Sequence, residues 1–357
     1  MNRSVLAAIA APMAAAVGFL GTLWLTSQHT GRPDSAVLAR NDRVAAHVVP
    51  ASSRPSSSKA GKDRATRKAS PSASKGSARR KASPPGGSPP PAPSGRGVLT
   101  GHVFVGVAVK GAIAASVRSF SAAAGTHMAL VEFYTPFGSP FPQQEAAQVV
   151  ALGSTPFIQW NPSTAPLSSI AAGNDDGYVR RYAMAVKAFG HQVVLSFGHE
   201  MNGSWSRWGS THATPAQFVA AWRRIHNIFA NQHVGNVTWS WDPSHVGADP
   251  QPWWPGAAYV DRIGIDGYQR PGQTFAGIFA ARLALIRSFA SKPIFIAETS
   301  VAPSSGAPSQ IIGLFNGVIR YHLSGFVWFD VNRLEQWRLE GRPADIRAFR
   351  ICVAHNT

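Results

Sequence analysis

From residue 101 onward, short apolar runs rich in β-branched and aromatic residues alternate eight times with longer stretches of helical periodicity. The runs fall at 103–109, 128–134, 155–160, 192–198, 236–241, 259–266, 293–298 and 325–330. Several are near-continuously apolar, such as Val193-Val194-Leu195 and Ile294-Phe295-Ile296. Strands covered on both faces of a parallel sheet read this way. Between the runs, Thr214-Pro215 offers an N-cap with proline at the first helical position, and Phe218, Trp222, Ile225 and Phe229 then recur on one face. Asp175-Asp176 precedes a similar pattern through Tyr182 and Val186, and Thr274 precedes one through Ile278, Leu285 and Phe289. The stretch from Asp249 to Pro255 is irregular and predicts only a short helix. Eight strand–helix units in roughly 260 residues predict an α/β fold of the (β/α)8 TIM barrel type over 99–357. A doubly wound open sheet is the rival, but Val107-Ala108-Val109-Lys110-Gly111 supplies no Gly-rich phosphate turn after the first strand.

The sequence ahead of the barrel cannot build a core. Residues 4–26 are uncharged and mostly Ala, Val, Leu and Gly, with Arg3 before them. Their length suits a membrane anchor, and their basic start suits a signal peptide; both readings stay open. Either sends the rest of the chain out of the cytoplasm, secreted or held at the outer face of the membrane. Residues 27–98 are rich in Ser, Pro, Ala, Lys and Arg and contain no Trp, Tyr or Phe, which predicts a disordered, proline-stiffened linker. Of the net charge of +17, this linker carries +11 (14 Lys+Arg less 3 Asp+Glu), residues 99–357 carry +5 (19 less 14) and Arg3 carries the last +1. The linker could touch anionic wall polymer or membrane surface, or simply be solvated; specific nucleic-acid binding is not expected. With Cys352 as its single cysteine, in a helix-like apolar pattern, the chain is expected to rest on its core rather than on disulfides and to be a monomer.

A barrel places its chemistry at the C-terminal ends of its strands. The fourth run ends in Gly198-His199-Glu200-Met201-Asn202-Gly203, and the seventh in Ile296-Ala297-Glu298. Strands four and seven face each other across an eight-stranded mouth, so Glu200 and Glu298 can flank a sugar. Glycoside hydrolysis needs such a pair. Trp160, Trp205, Trp208, Trp241 and Trp328 fall at or just past strand ends, where flat rings could receive sugar faces, whereas Trp222 and Trp337 are expected on helices and in the core. Glu132 is a competing carboxylate, either supporting the site or forming a salt bridge, and Asp266 is expected to bind sugar or support Tyr268. His199-Glu200 begins like a zinc-peptidase motif, but Gly203 stands where the second histidine would be, and no serine elbow is present. Neither a metal nor a cofactor is expected.

Further residues give the reading a family. Gly198-His199-Glu200-Met201-Asn202-Gly203-Ser204-Trp205-Ser206-Arg207-Trp208-Gly209 resembles the acid/base signature of the family 26 glycoside hydrolases, best known as β-mannanases. Trp253-Trp254-Pro255-Gly256 and the segment from Tyr259 to Tyr268 resemble that family's sixth-strand region, and Ile296-Ala297-Glu298 resembles its nucleophile strand. The resemblance implies a retaining mechanism with Glu200 as acid/base, Glu298 as nucleophile, His199 contacting sugar or a carboxylate, and Tyr268 hydrogen-bonded to the nucleophile. It also puts Asn202, Trp205 and Trp208 beside the substrate. The substrate implied is a β-linked polysaccharide, β-1,4-mannan first, then mixed-linkage β-glucan or β-1,3-xylan. The rival of another class is a cell-surface glycan-binding protein that keeps the barrel without catalysis.

Overall fold

The computed structural model describes residues 101–333 and 335–356. The apolar segment 4–26 and the linker 27–98 lie outside the described residues, so the expectations about them are untouched. Among the described residues, no helix is long and apolar enough to cross a membrane.

Eight parallel strands run β1 (Phe104–Ala108), β2 (Leu130–Pro136), β3 (Thr155–Asn161), β4 (Val193–Phe197), β5 (Val237–Trp241), β6 (Arg262–Ile263), β7 (Ile296–Thr299) and β8 (Gly325–Phe329). Their ladder order is β6-β5-β4-β3-β2-β1-β8-β7. Parallel bridges Ile263–Ile294 and Asp266–Glu298 join the two ends. Backbone bonds from Ile265 N–H to Phe295 O and from Ala297 N–H to Ile265 O, each 3.1 Å, reinforce that closure. The helices are α1 (Ile113–Ala124), α2 (Gln143–Ala151), α3 (Leu167–Ala172), α4 (Asp176–Phe189), α5 (Pro215–Asn231), α6 (Phe275–Phe289), α7 (Ala307–Arg320) and α8 (Pro343–Asn356). The predicted (β/α)8 barrel is therefore the observed fold, with one unit lacking its helix. Between β5 and β6 the chain makes only two 3-10 turns, Gln251–Trp253 and Ala257–Tyr259.

Local sequence explains the elements. Thr214 and Gln217 form a reciprocal capping box at the start of α5, with Pro215 at the first helical position. Thr274 caps α6 through the Gly277 N–H. The sixth strand is much shorter than the predicted 259–266. The Asp261 carboxylate takes the Trp239 N–H at 2.8 Å, a bond that a longer strand would make through its backbone.

Strand pleating divides the interior in two. Val105, Val107, Val131, Ile158, Leu195, Trp239, Ile263 and Phe326 point outward into the layer between barrel and helices. Leu130, Phe157, Val194, Phe295 and Val327 point inward and fill the barrel. At the inner base, the Arg262 guanidinium lies over the rings of Phe295 (4.3 Å) and Phe104 (5.3 Å). Above this apolar plug the inward positions turn polar, and the site begins.

Candidate active site

The first polar layer centres on Gln159. Its Nε2 donates to Glu132 Oε1 at 2.7 Å and to Asp242 Oδ2 at 3.3 Å. Asp242 Oδ1 also accepts from Ser240 Oγ and from the Gly264 N–H. A side chain at Gly264 would collide with Asp242 and Ala297, so only glycine allows this approach. Glu132 is fully buried, with Oε2 lacking any donor. Burial first, and the nearby negative charge of Glu298 second, hold its carboxyl well above the usual range. Its neighbours Glu298, Gln159, Asp242 and Tyr134 include no cation, so the salt-bridge reading of it is set aside.

The next layer up holds the two candidate catalytic carboxyls. After β4 the backbone turns left-handed at Gly198 (φ 62°) and again at Glu200 (φ 53°). Glutamate rarely adopts that conformation, and such strain gathers at functional sites. The turn is fixed from below by the Glu200 N–H donating to Asp242 O at 2.7 Å. Trp208 Nε1 holds His199 O at 2.7 Å from the loop beyond. Glu200 Oε2 accepts the Trp205 indole N–H at 2.6 Å. Burial raises the Glu200 carboxyl above the usual range, the neighbouring Glu298 charge raises it further, and His199 and Trp205 partly offset this.

Glu298 reaches the mouth through a β-bulge. Phe295 and Ala297 face the barrel interior and Ile296 faces out, so strict alternation would turn Glu298 outward as well. The register against β8 slips between Ile296 and Thr299, and the extra residue brings the carboxyl inward. There, Tyr134 donates to Oε1 at 2.6 Å and Tyr268 donates to Oε2. Burial, then nearby negative charge, keeps both phenols well above their ordinary range, so both remain donors. His199 Nε2 lies 3.7 Å from Oε1. Its Nδ1 meets Asn161 Oδ1 at 2.9 Å, and since an amide oxygen only accepts, Nδ1 carries the proton.

Asp266 lies beneath this pair, fully buried, with no donor on either oxygen. Burial and the charges of Glu298 and Glu200 push it well above the usual carboxylate range. His199, Asp266 and Glu298 each offer one donor atom within 4.8 Å of the others. Both Glu298 oxygens and His199 Nδ1 have hydrogen-bond partners, whereas neither Asp266 oxygen does. The arrangement sets a carboxyl biased toward holding a proton against a carboxylate gripped by two donors. It can deliver a proton on one side of a bound group and a nucleophile on the other.

A model of the glycosyl hydrolase family 26 matches residues 179–306, a span running from α4 through the Glu200 turn and past Glu298. Over that span the chain is similar to glycosyl hydrolase family 26. Endoglucanase H of Acetivibrio thermocellus is 28% identical over 259 residues, covering 67% of this chain and 29% of that protein. Mannan endo-1,4-beta-mannosidase A and B of Caldalkalibacillus mannanilyticus is 26% identical over 125 residues, 33% of this chain and 22% of that one. The chain thus spans less than a third of the length of the curated relatives it matches. In fold, it is similar to the catalytic domain of the GH26 endo-beta-1,4-mannanase of Bacillus sp. JAMB-750, with a TM-score of 0.57 at 16% identity over 71% of this chain and 86% of that one.

In this structure His199, Glu200, Trp205, Tyr268 and Glu298 converge on one mouth. Other expected sugar contacts do not join them. Trp160, Trp241 and Trp328 are fully enclosed. They share the outward parity of Ile158, Trp239 and Phe326 and pack beneath helices, Trp160 stacked 4.2 Å from Tyr182. Asn202 is buried as a clasp between loops. Its Nδ2 donates to the carbonyls of Ser244, Val246 and Ala248, and its Oδ1 accepts the Ser244 N–H. Trp208 is largely buried against His199, and Asp266 is too deep to meet sugar. Trp337, expected on a helix, lies in the loop after β8 and packs 5.0 Å from Tyr268. Sequence reading missed Tyr134, Asn161, Gln159 and Asp242. Strand parity would have found the first three, since each shares the inward face with Glu132 or Phe157.

Proposed function

We propose that the chain is a retaining β-glycoside hydrolase that cuts within β-1,4-mannan, with Glu200 as acid/base and Glu298 as nucleophile. One observation carries the reading: the two carboxyls meet at one mouth in unlike surroundings. Burial favours the protonated form of Glu200, while Glu298 is gripped by a phenolic donor on each oxygen. In the first step, Glu298 attacks the anomeric carbon and Glu200 gives its proton to the leaving oxygen. In the second step, Glu200 takes a proton from water, which displaces the enzyme carboxylate. Tyr268 and Tyr134 orient the nucleophile. Trp205, 39% exposed beside Glu200, offers a ring to the sugar. We place this action outside the cytoplasm on the strength of residues 4–26.

Mixed-linkage β-glucan is the second reading, favoured because the longer of the two relative matches is to an endoglucanase. New reducing ends should be assayed with mannan, glucomannan, mixed-linkage glucan, xylan and β-1,3-xylan beside a Glu298→Ala control. Release from mannan that the control lacks supports the proposal. Release from the glucan alone favours the second reading. A folded protein that releases nothing from any of them sinks both.

A further inference from the structure

The two phenols on Glu298 are held very differently. Tyr268 is fixed: its ring packs 5.0 Å from Trp337 and edge-on at 5.6 Å against Phe329. Trp337 is itself pinned, its carbonyl accepting from Ser300 Oγ at 3.0 Å and Trp328 Nε1 at 3.1 Å. Tyr134 stands near the end of β2, 37% exposed, with its ring leaning on His199 at 5.7 Å. In the free protein both oxygens of Glu298 carry a donor. Each oxygen keeps a second lone pair, but a hydrogen bond on the attacking oxygen weakens its nucleophilicity, so attack is favoured from the oxygen whose donor can leave.

Resting on the reading of Glu298 as nucleophile, we propose that Oε1 is the oxygen that attacks and that Tyr134 releases it, passing its hydrogen bond to a hydroxyl of the bound sugar while Tyr268 stays on Oε2. The Oε1–C1 bond then forms as the C1–O bond to the leaving group breaks, and the Glu200 proton goes to the departing oxygen. Tyr134 thereby ties exposure of the nucleophile to the presence of sugar. Oε2 suits the spectator role because its partner is locked between rings. Oε1 suits the attacking role because its partner borders open solvent. The ionisable groups facing Glu298 and Tyr134 are Glu132 from β2, His199 and Glu200 after β4, and Asp266 and Tyr268 after β6, with Asp242 at the end of β5 facing Glu132. Burial pushes the carboxyls of Glu132 and Asp266 well above the usual range, and Tyr134 also lies within hydrogen-bonding reach of Glu132.

The test traps the full chain with 2,4-dinitrophenyl 2-deoxy-2-fluoro-β-mannobioside and with the matching β-cellobioside, and determines the structure of the adduct. The expected result is a bond from C1 to Oε1, Tyr268 still on Oε2, and the Tyr134 hydroxyl on the sugar. A bond through Oε2, or Tyr134 still on its original oxygen, overturns this inference and leaves the hydrolase reading standing. No adduct on Glu298 with either reagent overturns both. Tyr134→Phe supplies the solution readout. The variant loses the hydrogen bond that passes from Glu298 to the sugar, so kcat/KM and the rate of trapping should both fall about tenfold. Unchanged kcat/KM and trapping rate count against the proposal.

Discussion

The indole N–H of Trp205 donates to Oε2 of Glu200 across 2.6 Å, tying the one partly exposed tryptophan of this loop to the carboxyl proposed as acid. A donor favours the ionised form, so Trp205 restrains the upward push of burial on Glu200. Trp205→Phe should raise the Glu200 pKa, and the basic limb of kcat/KM should move up with it. The expected move is upward, because the lost donor favoured the ionised form. A limb that stays or moves down contradicts the assignment.

Glu200→Ala should lose on the order of 100- to 10,000-fold in kcat on polymer, whose leaving oxygen needs a proton. On dinitrophenyl glycosides, which leave without one, its first step should be nearly intact. Glu298→Ala should lose both activities. Equal losses on both substrates for Glu200→Ala would remove it from the acid role.

Asp266 gives the pH dependence of stability. Its folded-state pKa is raised, so folding favours its protonated form. The stability it contributes is complete below the unfolded-state value of about 3.9 and is lost as pH rises from there toward the folded value. Asp266→Asn removes this dependence. The variant should match the parent near pH 4 and melt roughly a few degrees higher at pH 8, while losing activity. Melting curves that differ by the same margin at both pH values would mean that Asp266 does not titrate with folding.

Trp160 and Trp328 should act on stability and not on substrate. Both are fully enclosed, and their indole N–H groups donate to Tyr178 Oη and to the Trp337 carbonyl. Changing either to Phe should cost about 1–3 kcal/mol in denaturant unfolding through lost volume and a lost hydrogen bond. KM should hold within about twofold. A large rise in KM with unchanged stability would return these rings to the cleft.

Much of the barrel was legible because strand runs and helix faces obey different periods, and the caps at Thr214 and Thr274 marked where one gave way to the other. Glu200 and Glu298 were legible from their places at the ends of runs four and seven. The aromatic lining was not, because proximity to a strand end says nothing about face. Trp160 lies next to inward-facing Gln159 and Asn161 and points the other way. Glu298 shows the converse. Its parity reads outward, and only the bulge between Ile296 and Thr299 turns it in. No residue pattern announces that extra residue. The short sixth strand was hidden for a similar reason, since Asp261 replaces ladder bonds with a side-chain bond. Tyr134 escaped notice because it belongs to no motif, and only the folded barrel brings it to Glu298, 164 positions away.

The central claim is a double displacement that alternates between Glu298 and Glu200, and the stereochemistry of the first product tests it most directly. Proton NMR of early hydrolysis, on whichever polymer the full chain cuts, should show the β-anomer of the new reducing end first, followed by mutarotation to the mixture. The α-anomer appearing first would mean direct attack by water, and it would contradict Glu298 as nucleophile.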